Sequence, residues 1–117
     1  MIDIETIRKY CLKKPFVLEC FPFDDETLVY KVHNKMFALM GLDNFPLGIN
    51  LKCDPEYAIE LREKYDAIKP GWHMNKKHWN TLTIEGSIPD KLVFELIDHS
   101  YNMVYSKLPS KLKQNSI

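Results

Sequence analysis

The spacing of apolar residues changes period several times along this chain, and each change predicts an element. Ile4, Ile7, Tyr10 and Cys11 fall on one helical stripe behind Asp3, whose short side chain suits an N-cap. Lys13 and Lys14 complement the negative end of the helix dipole and Pro15 stops it, so the helix spans 3–14. Residues 16–23 are mixed apolar with Pro22 near their end, which predicts a short strand. Two clearer strands, 28–33 and 35–42, meet at His33-Asn34, where asparagine tolerates the left-handed backbone of a tight hairpin. Apolar side chains on both faces of 36–42 predict a central strand. Leu47, Ile49 and Leu51 then alternate with Gly48, Asn50 and Lys52, as a half-buried antiparallel strand does.

A second helix is announced by Asp54 as N-cap, Pro55 at the first helical position and Glu56 in the first turn. Ala58, Leu61 and Tyr65 give its buried stripe, and Arg62 and Lys64 suit its C-terminal end. A loop over 69–78 leads into a strand near 79–85 with Leu82 and Ile84 on one face. Gly86 and Ser87 turn the chain into the longest helix, 89–107. Its apolar face recurs every three or four residues from Leu92 to Leu108, and Pro109 ends it. The predicted order is α-β-β-β-β-α-β-α. Short links between neighbouring strands favour an antiparallel meander, an α+β fold whose N- and C-terminal helices cover the sheet. Residues 1–109 form one domain in this reading, and the polar tail 110–117 is expected to fray.

Composition narrows the function. A chain of 117 residues can bury roughly 65% of its unfolded surface, enough for a core without metal or disulfide support. Sixteen basic and sixteen acidic side chains cancel, which disfavours a dedicated nucleic-acid binder but leaves room for a local basic patch. Cys11, Cys20 and Cys53 are odd in number and widely spaced, the pattern of free thiols in a reducing cytoplasm. The first residues carry no signal-peptide pattern, and no apolar run approaches the ~20 residues that cross a bilayer. The expectation is a monomer in the cytoplasm with no membrane partner.

The densest chemistry lies in Lys69–Trp79, Lys-Pro-Gly-Trp-His-Met-Asn-Lys-Lys-His-Trp, which holds both tryptophans, three lysines and no acid. His73 and His78 lack the further ligands that a zinc site requires, so no metal or cofactor is expected. Asp98-His99-Ser100 contains the residue types of a hydrolase triad. Consecutive helical residues project about 100° apart and cannot line up as one; Asp98 should face solvent and Ser100 the core. The acidic turn Asp24-Asp25-Glu26 lacks the ligand spacing of a calcium loop. No catalytic constellation emerges, and the expectation is a non-enzymatic protein.

Several motifs in order carry a family resemblance. They are Lys31-Val32 with Lys35-Met36-Phe37-Ala38, Leu51-Lys52-Cys53-Asp54-Pro55-Glu56, Glu60-Leu61-Arg62, His73 to Asn80, and Asp98-His99-Ser100-Tyr101. Over nearly its whole length the chain resembles the MmcQ/YjbR family of small bacterial proteins. Asn34 stands where that family usually has glycine, a change compatible with the same turn. The resemblance implies a compact fold with an antiparallel sheet, similar to the frataxin-like CyaY arrangement. It also implies the DNA binding predicted for the family through a double wing of β-structure. The iron binding of frataxins does not carry over, because the first helix lacks an acidic ridge.

Two functional readings follow. In the first, the chain binds DNA weakly and with little sequence preference. Lys35 on the hairpin and Lys69, Lys76 and Lys77 on the loop contact phosphate, and Trp72, His73 and Trp79 lie among them. In the second, Trp72, His73 and Trp79 line a pocket for a peptide, protein or small ligand. Whether the two tryptophans anchor the loop to the core or stand exposed is open on sequence grounds.

Overall fold

The computed structural model describes residues 2–71 and 74–109. Three helices and six strands follow in the order α1 (Ile4–Leu12), β1 (Val17–Cys20), β2 (Thr27–Val32), β3 (Lys35–Gly41), β4 (Leu47–Lys52), α2 (Pro55–Lys64), β5 (Ile68–Pro70), β6 (Trp79–Ile84) and α3 (Asp90–Ser106). The strands form one antiparallel sheet in the order β1-β2-β3-β4-β6-β5. β3 is interior, flanked by β2 and β4, as its two apolar faces predict. The additional strand, β5, has three residues, too few to show a period, and Pro70 removes one donor. An edge position tolerates both.

Local chemistry sets the boundaries. Asp3 caps α1 by accepting the Thr6 N–H at 2.8 Å, and Asp54 caps α2 by accepting the Tyr57 N–H at 3.2 Å. His33 and Asn34 adopt φ of 46° and 69°, which gives the β2–β3 turn a hand matching the strand twist. A bulge between Tyr30 and Lys31 shifts the register so that Lys31 faces Met36 while Tyr30 faces Ala38.

The main core lies on the face that α1 and α3 cover, with Ile7, Tyr30, Phe37, Met40, Ile49, Leu82 and Ile97 fully buried or nearly so. The other face has no helix. A small cluster of Val29, Leu39 and Trp79 is buried there, with Cys20, Met36 and Met74 packed around it. Met74 comes from the β5–β6 connection, so that loop folds back over the uncovered face.

The Asp98-His99-Ser100-Tyr101 run fastens α3 to the rest of the molecule. Asp98 is half-buried rather than solvent-facing: it accepts from the Tyr10 hydroxyl at 2.8 Å and from Lys14 Nζ at 2.5 Å. The helix α1, packed alongside, supplies both partners, which single-helix geometry cannot foresee. His99 Nε2 accepts the Asp54 N–H at 3.1 Å, Ser100 is fully buried, and the Tyr101 hydroxyl donates to the Pro15 carbonyl at 2.6 Å. The three triad residue types are thus spent on three different structural contacts. No helix of the described residues is long and apolar enough to cross a membrane.

Candidate anion-binding site

The connection from β5 to β6 is built as a tight return. The Gly71 N–H donates to the Trp79 carbonyl at 2.8 Å, and a Cβ on Gly71 would stand 2.7 Å from the Trp79 Cβ. The Asn75 side chain accepts from the Lys77 N–H at 2.9 Å, closing the turn that precedes β6. Arg62 of α2 locks the same turn from below. Its Nε donates to Asn80 Oδ1 at 2.7 Å, and its NH2 group donates to the carbonyls of Lys76 and, at 3.3 Å, Trp79. The buried atoms His78 Nδ1 and Asn80 Nδ2 have no hydrogen-bond partner among the described residues.

The predicted site residues are only partly brought together. Lys35, Lys69, Lys76 and Lys77 are exposed, although the Lys76 ammonium donates to the Gly71 carbonyl at 3.2 Å. Lys69 lies on the uncovered face opposite Thr81, away from the turn that carries Lys76 and Lys77. Trp79 is 8% exposed and packs with Val29 and Leu39, so it is a core anchor and not an exposed stacking surface. Trp72 and His73 lie outside the described residues.

Two lysines that the sequence reading passed over complete the site. Lys52, at the end of β4, and Lys107, which caps α3, share with Lys35 a recess of about 320 Å³. Met36, Trp79 and Leu108 contribute its apolar wall, and no described carboxylate lines it. None of the three lysines has an ion-pair partner among the described residues. Burial, and after it the like charge of Lys107, lowers the pKa of the Lys52 ammonium. Such a recess favours an anion, because an incoming negative charge relieves the mutual repulsion of the cations.

Charge is segregated along the strands. The β2–β3 turn, the end of β4, the start of β6 and the end of α3 share one end of the sheet, which carries Lys35, Lys52, Lys76, Lys77 and Lys107. The β1–β2 and β3–β4 loops share the other end with the start of α1, bringing Asp3, Glu5, Asp43 and Glu85 around one groove. The Glu26 carboxyl titrates above its usual range there through its hydrogen bond to Asp43 and the like charge of that neighbour. Asp54 and Glu56, at the start of α2, are exceptions at the basic end; the Asp54 carboxylate is engaged with the Tyr57 N–H.

This arrangement defines an α+β protein with an antiparallel sheet open on one face and a basic recess at one end. A family model described as YjbR matches residues 12–103, and the chain belongs to the YjbR family. It is 40% identical over 108 residues to the uncharacterised protein YbdF of Escherichia coli O157:H7, covering 92% of this chain and 88% of that one. With the uncharacterised protein YjbR of Escherichia coli K12 it shares 32% identity over 114 residues, 97% of this chain and 96% of the relative. The crystal structure of a Deinococcus radiodurans protein with a DUF419 domain superposes with a TM-score of 0.94 at 41% identity, covering 98% of this chain and 88% of that one. A Pseudomonas syringae crystal structure gives a TM-score of 0.75 at 27% identity, with 87% of this chain and 98% of the other covered.

Proposed function

We propose that this chain is a non-enzymatic DNA-binding protein of the cytoplasm that holds the phosphate backbone with the basic end of its sheet. The segregation of charge carries the reading. A neutral chain attracts a polyanion when its cations gather at one end, because the local potential and not the net charge governs encounter. Lys35 on the hairpin and Lys76 and Lys77 on the adjoining turn supply backbone contacts, and Lys69 adds a further cation on the open face. Few groups are placed to read base edges, so binding is weak and largely indifferent to sequence. Three unpaired thiols fit a reducing compartment.

Salt titration on duplex and single-stranded oligonucleotides tests this. Three or four phosphate contacts give a slope of roughly −3 to −4 in log K against log [salt]. Lys76→Ala with Lys77→Ala weakens binding equally on all sequences and flattens that slope by roughly 2. No binding at low salt, or binding indifferent to the double variant, sinks the reading.

A second reading is a module for a protein or peptide partner. It rests not on a pocket around Trp72, His73 and Trp79, of which Trp79 is buried and the other two lie outside the described residues, but on the opposite end. There Leu42, Leu47 and Ile84 line an apolar groove of about 800 Å³ beside Phe45, which is 99% exposed. Loss of partner binding in Phe45→Ser, with DNA binding absent, favours this second reading.

A further inference from the structure

We propose that the recess formed by Lys35, Lys52 and Lys107 is a specific seat for a phosphomonoester carried by a nucleotide, as a free mononucleotide or at a strand terminus. This deepens the DNA-binding reading by giving the basic end a defined pocket, yet it can fail separately from it.

Charge matching favours the monoester over an internal backbone phosphate. Three lysines line the recess, so three ammonium groups are within reach of a bound anion, and the C-terminus of α3 brings a partial charge of about −0.5 to the same place. The sum, about +2.5, suits a phosphomonoester near −2 above its second pKa and exceeds the single charge of a diester. The three lysines arrive from a hairpin, a strand end and a helix end, so the fold itself holds the cations together. Ser100 fixes the backbone from which one of them springs, since its hydroxyl accepts the Lys52 N–H at 2.9 Å.

The remaining wall suits an organic phosphate better than the inorganic ion. Half-buried Met36 and exposed Pro109 present apolar surface beside the cations, where a sugar or base edge can pack while the phosphate meets the ammonium groups; Trp79 and Leu108 only floor the recess. At about 320 Å³ the recess is at the small end of ligand sites and has room for one nucleotide unit.

Two-dimensional amide spectra follow the Trp79 indole N–H and the Lys52 and Lys107 amides during titration with a nucleoside 5′-monophosphate, its nucleoside, and 5′-phosphorylated and 5′-hydroxyl forms of one oligonucleotide. Phosphorylated ligands are expected to bind roughly tenfold or more tightly than their hydroxyl counterparts. Lys52→Gln with Lys107→Gln should erase that difference, while Lys52→Arg, which preserves charge, should retain most of it. Preference for the free monophosphate identifies a mononucleotide site, and preference confined to the phosphorylated oligonucleotide identifies strand ends; either supports the seat. Failure of the hydroxyl-ended oligonucleotide to bind, with the monophosphate still bound, removes the DNA reading and leaves the seat standing. Equal binding of phosphorylated and hydroxyl ligands, with the recess resonances unmoved, overturns the proposal.

Discussion

The Ser100 hydroxyl donates to the Phe37 carbonyl at 2.5 Å and accepts the Lys52 N–H at 2.9 Å, so one side chain of α3 bridges two neighbouring strands. The β3–β4 pairing ends at Ala38 and Leu51. Phe37 and Lys52 come next, and Phe37 is the extra residue of the bulge opposite β2. The hydroxyl therefore satisfies two backbone groups where the ladder has stopped, in a site with no exposure of the serine.

Ser100→Ala should accordingly destabilise by about 2–6 kcal/mol, since a buried carbonyl and a part-buried N–H lose their partner at about 1–3 kcal/mol each. The expected signature is a lower denaturant midpoint with an unchanged m-value. A midpoint like that of the parent would mean that Phe37 and Lys52 find each other unaided.

Arg62 invites a sharper substitution. Its planar fork reaches the Asn80 side chain and the carbonyls of Lys76 and Trp79 together, a geometry that a lysine ammonium does not reproduce. Arg62→Lys is expected to behave much like Arg62→Ala, costing about 1–3 kcal/mol and speeding hydrogen exchange of the 75–79 amides. If Lys76 and Lys77 contact phosphate, both variants also weaken DNA binding without touching the ligand. Protection of these amides at the parent level in Arg62→Lys would show that charge alone suffices.

Much of this fold is legible in the sequence because the informative residues act locally. The caps at Asp3 and Asp54, the His33-Asn34 turn and the alternation through Leu47–Lys52 depend on neighbours a few positions away. Elements that depend on distant partners are not legible. Asp98 looks like a solvent-facing helical residue until Tyr10 and Lys14 are packed against it. Lys52 reads as an ordinary polar position of an alternating strand and Lys107 as a helix-end cation; only the tertiary fold places them around one recess with Lys35. The basic loop stands out in composition, yet Trp79 alternates toward the side of the sheet where Val29 and Leu39 await it. Period-two patterning does not say which face of a strand is covered.

His99 makes stability depend on pH. Burial lowers its pKa below the ordinary 6.5, opposed by the negative charge of Asp54, and its Nε2 must be unprotonated to accept the Asp54 N–H. The unfolded chain then binds a proton at higher pH than the folded one. Stability from this group is fully present above the unfolded value of 6.5 and is lost as pH falls through the folded pKa. Denaturant unfolding between about pH 5 and about pH 8 should show a decline on the acid side. His99→Gln, which can still accept a hydrogen bond, should remove that part of the slope. An identical slope in the variant would assign the decline to carboxylates.

The three thiols should separate by reactivity. Burial pushes the Cys11 thiol up to about 12 and the Cys53 thiol up to about 11, each with a neighbouring cation, Lys14 or Arg62, only partly opposing it. The thiolate is the attacking species, and a thiol near 11 is ionised to about one part in ten thousand at neutral pH. Both side chains are also closed to reagent, Cys11 with no exposure and Cys53 with 3%. Cys20 is half-buried, at the margin of the Val29–Leu39–Trp79 cluster on the uncovered face. Native protein treated with iodoacetamide should gain one adduct, mapped by mass spectrometry to Cys20. Cys11 and Cys53 should react only at the rate of unfolding and together in denaturant. Labelling of Cys53 ahead of Cys20 under native conditions would mean that the β4–α2 junction opens locally, and the tight setting of Lys52 beside it would fail with it.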